Sequence, residues 1–422
     1  MYLIRNIYCI LSSIVIIILI CIIIHLICLA PVKAIMTNPS LSGAYLNYSS
    51  TNPTYTGRFN PSDLAYDQNL QLRYDIADIE IKIKKLINAP ANAKVIINSG
   101  ATESIANCLF WAKSYSNYGS ILGTAYDHSA VEDNCKNLDL QYSHINSRNI
   151  DDKCSMIFLT HVNSKTGEVL DIPTFVRNFN TYTFLSNSSN NLPNLYTNHV
   201  LQYKPLLVLD ATQSIMKVPI DMERWGLNAV FFSLHKIGGP SGVGVLVVND
   251  TKDAPFKPLI TGKQQNALRG GTLPIYSLID YSNIFDNFDD FNSRKDVWNS
   301  TMQKLVKSGL KVYKPKGKHL YNTFLIATND CPMGYINELS RHGIYVGNSS
   351  ACKNEEIMNG KNSKNSTNEN SENDNEGMKG GMNYANKDPF DSAIRISFKN
   401  ANEINDDILD DIINTLRQKQ DE

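Results

Sequence analysis

Two short apolar runs, each ending on a charged group, constrain this chain most. Leu206 to Leu209 reads as a buried strand that ends on Asp210. Ala229 to Phe232 reads as a second, ending in Ser233-Leu-His235-Lys236 ahead of the glycine-rich stretch Gly238 to Gly244. Apolar runs of this length without alternation fit strands covered on both faces, as in a parallel sheet flanked by helices. In such open sheets the carboxyl ends of the strands face the ligand crevice. Burying an amine costs several kcal/mol unless it is neutralised or bonded, so a lysine directly after a buried strand is a candidate for covalent chemistry with a carbonyl compound. Taken alone, the tetrad fits a strand ending in a polar turn, and Asp210 a helix cap or turn residue.

The chemistry that uses such a pair is that of pyridoxal phosphate (PLP). Lys236 would carry the cofactor through its amine, with Ser233 and His235 turned toward the phosphate. Asp210 would pair with a protonated pyridine nitrogen and make the ring an electron sink, and Gln213 would hydrogen-bond the ring hydroxyl. The strand-like Val95-Ile-Ile-Asn98 precedes a helical segment, Glu103 to Trp111, so Ser99 to Ser104 would present backbone N–H groups and the Thr102 hydroxyl to an anion. An ordinary helix start is the alternative. His128 would stack on the ring and move protons, or serve as a satisfied polar residue. Arg395 alternates with Ile394 and Ile396 in a strand, and its planar fork suits a carboxylate; a solvent-facing edge arginine is the other reading.

Seven segments in sequence order resemble the class V aminotransferase superfamily of PLP enzymes, and within it the cysteine desulfurases of the NifS/IscS kind. They are Tyr45 to Pro53, Asn98 to Ser104, Ala125-Tyr-Asp-His128-Ser-Ala-Val, the Asp210 to Lys236 pair of strands, Leu268-Arg-Gly-Gly-Thr272-Leu-Pro, Ser349-Ser-Ala-Cys352, and Ala393-Ile-Arg395-Ile-Ser-Phe. The resemblance runs from about Ala44 to about Leu416, apart from two insertions. It implies an α/β chain of PLP-dependent transferase fold type I, a homodimer in which Thr272 reaches the neighbouring subunit's phosphate, and L-cysteine as substrate. It further implies that Cys352 accepts sulfur as a persulfide, that Arg395 holds the substrate carboxylate, and that an unidentified sulfur acceptor or scaffold protein takes the sulfur onward, to iron-sulfur clusters or other pathways.

Length and charge agree with an enzyme. The chain has 422 residues and a net charge of -1, so no basic field suggests nucleic acid. That length exceeds a single core. Strand-helix alternation from about Asp75 to Val248 predicts a PLP-binding large domain over 41–300 with a mostly parallel sheet, with 41–60 packing near the small domain. A small α+β domain over 301–422 is expected to follow, with strands in Lys311 to Thr328 and Ala393 to Phe398 and a helix over Glu403 to Arg417. The eight cysteines contain no Cys-x-x-Cys pair and read as reduced thiols. Asn180 to Tyr203 and Asn359 to Asp388 are rich in Asn and Ser and read as inserted surface loops, the second too poor in apolar residues to offset its ordering entropy.

The N-terminus is of another kind. From Ile7 to Ala30 the chain is nearly all Ile, Leu, Val and Cys, between Arg5 and Lys33. That length spans a bilayer as one helix, so 1–34 is expected to be a membrane anchor, with a cleaved targeting signal ending in Pro31 to Ala34 as the alternative. The side of the membrane stays open, since the flanking charge bias is slight and Asn348-Ser-Ser350 is a glycosylation sequon beside Cys352.

Three departures bear on function. Ser164 stands where the family has an Asn near the ring hydroxyl and the substrate, Thr261 to Ala267 lacks the family's Glu and Arg, and Ser349 replaces a Gly. The resemblance further implies a long C-terminal extension where scaffolds dock, and that extension is expected to be lacking after Glu422. The expected activity is PLP-dependent conversion of cysteine to alanine with sulfur left on Cys352. Another class V enzyme (an aminotransferase, selenocysteine lyase or molybdenum-cofactor sulfurase-like protein) and a non-catalytic membrane-tethered homologue are the alternatives.

Overall fold

The computed structural model describes residues 67–116, 119–145, 153–188, 204–286, 291–349, 390 and 392–421. Contacts divide the chain into Met1–Asp78 and Ile79–Glu422. Of the first unit the described part is helical, the opening of α1 (Asp67–Leu86), where Gln71 Nε2 donates to Asp75 Oδ1 one turn on. The expected anchor over 1–34, the segment Tyr45 to Pro53, the insertion 359–388 and Cys352 lie outside the described residues. Among the described residues no helix is long and apolar enough to cross a membrane.

The second unit is built on a seven-stranded sheet of order β1-β7-β6-β5-β4-β2-β3. Its strands are β1 (Lys94–Asn98), β2 (Ser120–Gly123), β3 (Gln141–His144), β4 (Cys154–Thr160), β5 (Leu206–Asp210), β6 (Ala229–Ser233) and β7 (Gly244–Val248). The run from β6 through β5, β4 and β2 to β3 is parallel, and β7 is antiparallel to both its neighbours. The reversal has a simple cause. Residues 234–243 are too short a link for a crossover, which a parallel neighbour would require. Every residue of β4, β5, β6 and β7 is buried, as expected for strands covered on both faces. On one face, Ile105 and Leu109 of α2 (Ala101–Tyr115) belong to the same core cluster as Phe158, Val208 and Phe231. Truncating a ring such as Phe231 in that layer would cost about 3–5 kcal/mol. Helices α3 (Ser129–Asn137) and α4 (Ile172–Ser188) follow β2 and β4 in the chain.

A second, antiparallel sheet of order β8-β10-β9 is formed by β8 (Thr323–Ala327), β9 (Gly347–Asn348) and β10 (Ala393–Ser397). Its inward residues, Phe324, Ile394 and Ile396, cluster with Trp298 and Leu305 of α5 (Lys295–Lys307), Leu339 of α6 (Pro332–Arg341) and Leu409 of α7 (Asp406–Asp421). Helix α6 begins on Pro332, whose missing N–H is no loss in a first turn.

Several expected boundaries move. The strand expected over Lys311 to Thr328 is confined to Thr323–Ala327, with Val312 making one isolated bridge to Ile326. Pro315 and Gly317 interrupt the rest. Helix α4 continues through Asn180 to Ser188 rather than giving way to a loop, and 189–203 lie outside the described residues. The helix expected from Glu103 already starts at Ala101 and reaches Tyr115. The final helix starts at Asp406, after a short 3-10 turn over Ala401–Glu403. Cys108, Cys135, Cys154 and Cys331 are free thiols, the first three buried and the last exposed.

Candidate active site

The parallel strands end at a common edge, and the sequence places a polar residue at the ends of β4, β5 and β6. Thr160 closes β4 and is the register partner of Asp210, which closes β5. Ser233 closes β6. Asp210 is buried, and its Oδ1 accepts from the Thr212 amide at 2.8 Å. Burial raises its proton affinity, opposed by Thr212 and by the nearby His128.

After Ser233 the chain turns through one 3-10 turn, Leu234–Ile237, capped by Gly238 in the left-handed region at φ 92°. Only Leu234 of that turn is buried. Lys236 is therefore exposed at the rim of the site, not buried behind the strand as its position in the sequence suggests. The tight turn lifts its stem off the sheet, so the amine avoids the desolvation that a continued strand would impose. His235 lies beside it, and partial burial together with Lys236 lowers its proton affinity.

On the other side, Ser233 Oγ accepts from the Ala101 amide at 2.7 Å, which joins the end of β6 to the N-terminus of α2. Thr102 sits in that first turn and is exposed. His128 caps α3, its Nδ1 accepting from the Ala130 amide at 3.2 Å. From β10, Arg395 Nη1 donates to the Ser164 carbonyl oxygen at 2.9 Å. Arg395 is partly buried, with Ile394 and Ile396 facing the core, as its alternating pattern predicts.

These groups meet. A cavity of about 500 Å³ is lined by Thr102, His128, Ser164, Asp210, Gln213, Ser233, His235, Lys236 and Arg395. A second, of about 660 Å³, shares Ser164, Gln213, Lys236 and Arg395. Thr272 is exposed and lines neither. Cys352 is outside the described residues, but Ser349 just before it is buried and donates its amide to the Ala393 carbonyl oxygen at 2.9 Å. Asn163 and Asp127 also line the first cavity and were not among the residues expected there. Asn163 had a weak signal, its place ahead of Ser164, and its Oδ1 accepts from the Lys165 amide at 2.9 Å. Asp127 is hidden in the sequence by its neighbour His128.

Residues 54–270, just over half the chain, match the family described as Aminotransferase class-V. The chain belongs to that family. Its curated relatives include the cysteine desulfurase IscS of Buchnera aphidicola subsp. Schizaphis graminum, 25% identical over 307 residues that cover 63% of this chain and 69% of the relative. The cysteine desulfurase IscS of Plasmodium falciparum is 23% identical over 316 residues, 67% of this chain and 52% of the relative. The chain thus spans from about half to about two thirds of the length of these relatives. Among solved structures, a NifS-like protein superimposes with a TM-score of 0.65 at 21% identity, covering 85% of this chain and 92% of that one.

The cofactor of this family is pyridoxal phosphate, and the residues present fit it. A helix N-terminus with Thr102 and the Ser233 hydroxyl suits a phosphate. A buried carboxylate, Asp210, suits a protonated ring nitrogen. A primary amine, Lys236, lines the same cavity and is exposed enough to react with a carbonyl carbon.

Proposed function

We propose that the chain is a PLP-dependent cysteine desulfurase that converts L-cysteine to alanine and leaves the sulfur on Cys352 as a persulfide. The observation that carries this reading is that Lys236 and Arg395 line both cavities, so one substrate can place its carboxylate on the guanidinium and its α-carbon by the amine. When bound, pyridoxal phosphate supplies an electron sink for the electrons of the substrate α-carbon. Thr102, Ser233 and His235 would hold its phosphate, Asp210 its ring nitrogen, Gln213 its ring hydroxyl and Lys236 its carbonyl carbon, with His128 against the ring.

Arg395 binds the substrate carboxylate and orients the α-hydrogen toward Lys236. The Lys236 amine takes that proton and returns one to the alanine product. The Cys352 thiolate attacks the substrate sulfur. The carbon–sulfur bond breaks as the sulfur–sulfur bond forms, so cysteine and one thiol become alanine and one persulfide, with no external oxidant. His128 supplies protons near the ring. Cys352 is three residues past Ser349, so the chain keeps it within about 11 Å of Ser349, the residue after the β9 end that pairs with the Arg395 strand.

The reading extends to assembly. Thr272, exposed on its loop, would complete the phosphate site of a second copy in a homodimer, since an isologous contact supplies it twice. Residues 41–300 would form the large domain and 301–422 the small one in a type I fold. The apolar segment in 1–34 would anchor the enzyme to a membrane, and an acceptor or scaffold protein would take the persulfide sulfur. Purified protein incubated with L-cysteine and a thiol reductant tests the activity. Equimolar alanine and sulfide are expected, whereas transamination products without sulfide would move the protein to another class V reaction.

A further inference from the structure

Asp127 is a partly buried carboxylate to which the mechanism above gives no task. It accepts hydrogen bonds from the amide and hydroxyl of Thr124 in its own turn. Thr160 Oγ1, at the end of β4, donates to it at 2.6 Å, and the Tyr142 hydroxyl on β3 donates at 3.1 Å. Gly123, closing β2, is what admits this cluster. A Cβ there would lie 2.1 Å from Asp127 Oδ2 and 2.6 Å from the Tyr142 hydroxyl oxygen. One carboxylate therefore ties together the ends of β2 and β4 and the start of β3, and the next strand end in the row is Asp210, the register partner of Thr160.

Two carboxylates side by side, one buried and one partly so, repel each other unless a cation stands by them. Burial pushes the Asp127 carboxyl up to about 6 against the pull of its three side-chain donors, and Asp210 adds to the rise. Four donors aimed at one carboxylate are nevertheless an arrangement for an anion. We propose that Asp127 is a positioning residue that supplies a second negative charge behind Asp210, favouring the protonated pyridine nitrogen of bound PLP, while its grip on Thr124 and Thr160 fixes the turn that carries His128. This deepens the PLP reading and rests on it.

The ionisable groups that act on Asp127 or on its partners are Tyr142 from β3, Cys135 and Glu132 from α3, Asp210 from β5 and, through Asp210, His128. Burial, then the charge of Asp127, pushes the Cys135 thiol and the Tyr142 phenol up, so neither ionises near neutrality. Negative charge at the Asp127–Asp210 pair is thus left to be balanced by the cofactor ring.

The test follows the visible absorption of bound PLP against pH in the purified full-length holoprotein. Asp127→Asn keeps an acceptor for Thr160 and removes the charge. Its absorption midpoint should fall by about one unit, because a cation loses a nearby anion. Tyr142→Phe removes a donor but no charge, so its midpoint should stay at the wild-type value and only its acid limb should move upward. A purely structural role would lower the melting temperature of both variants and move neither midpoint, and that result overturns the proposal. If Asp127→Asn does not fold, Thr160→Val removes one donor with little change of shape. Asp127 should then hold its proton to higher pH, carrying the acid limb of the titration upward; an unmoved limb overturns the proposal equally. Wild-type protein that takes up no PLP would instead refute the cofactor site itself.

Discussion

Arg395 Nη1 and the Ser164 carbonyl oxygen meet at 2.9 Å although 231 positions separate them in the chain. The bond holds the guanidinium of β10 against the loop after β4, at the point the two cavities share. It also leaves the rest of the planar fork for a carboxylate. Gly347 opposite keeps that space clear, since a Cβ there would lie 3.3 Å from Arg395 Nη2.

Arg395→Lys should therefore weaken substrate more than cofactor. A lysine cannot hold both a backbone carbonyl and a carboxylate in one plane. KM for cysteine is expected to rise about ten-fold or more while the PLP absorption is retained. Steady-state kinetics beside an absorption spectrum separates the two, and loss of the cofactor with unchanged KM would move Arg395 to the PLP site.

Cys352→Ser should keep the PLP colour and the spectral response to cysteine, because the cofactor and substrate contacts, Lys236, Asp210 and Arg395 among them, do not include Cys352. Alanine and sulfide production should fall by orders of magnitude, since a hydroxyl is a far poorer sulfur nucleophile than a thiolate. Wild-type sulfide release from this variant would point to a lyase or aminotransferase that needs no protein thiol.

Glu103 and Arg269 form a two-pronged ion pair at 2.9 and 3.1 Å, with side chains only 10% and 15% exposed. Burial pushes the Glu103 carboxyl up, but the Arg269 hydrogen bonds and the Ser99 amide outweigh it and hold it below its ordinary value. A depressed carboxyl contributes stability above its unfolded value, near 4.5, that is lost as pH falls through the folded value. Glu103→Gln should cost about 1–3 kcal/mol at neutral pH and flatten the acid limb below pH 4.5. Denaturant titrations at pH 7 and at successively lower pH measure both effects.

His161 is 2% exposed, packs edge-on against Trp225, and has no partner for Nδ1. Burial, aided by Lys318, lowers its pKa to about 4 from an ordinary 6.5. The unfolded chain thus binds this proton first as pH falls, and stability should drop through the window from 6.5 to about 4. One proton gives a slope of about 1.4 kcal/mol per pH unit. His161→Gln should remove that slope in urea titrations between pH 4 and 6.5, and an unchanged slope would assign it to other groups.

Local chemistry is written where it acts, and so the sequence by itself determined the strand ends at Asp210 and Ser233, the helix start beside Thr102 and the inward face of β10. Each depends on a few consecutive side chains: apolar runs that must leave water, and a polar residue where the run stops. Lys236 shows the limit. Its sequence neighbours place it after a buried strand, and only the 3-10 turn capped by Gly238 decides that it stands exposed. The antiparallel insertion of β7 between β1 and β6 was likewise unreadable, because strands buried on both faces carry no alternation to name their neighbours. The Asp127 cluster belongs to the tertiary structure alone. Its members come from β2, β3, β4 and the turn after β2, and it exists because Gly123 leaves room for a carboxylate and a phenol to approach. Such contacts depend on which strand ends lie side by side, which is settled by packing across the whole sheet and not by any short stretch of chain.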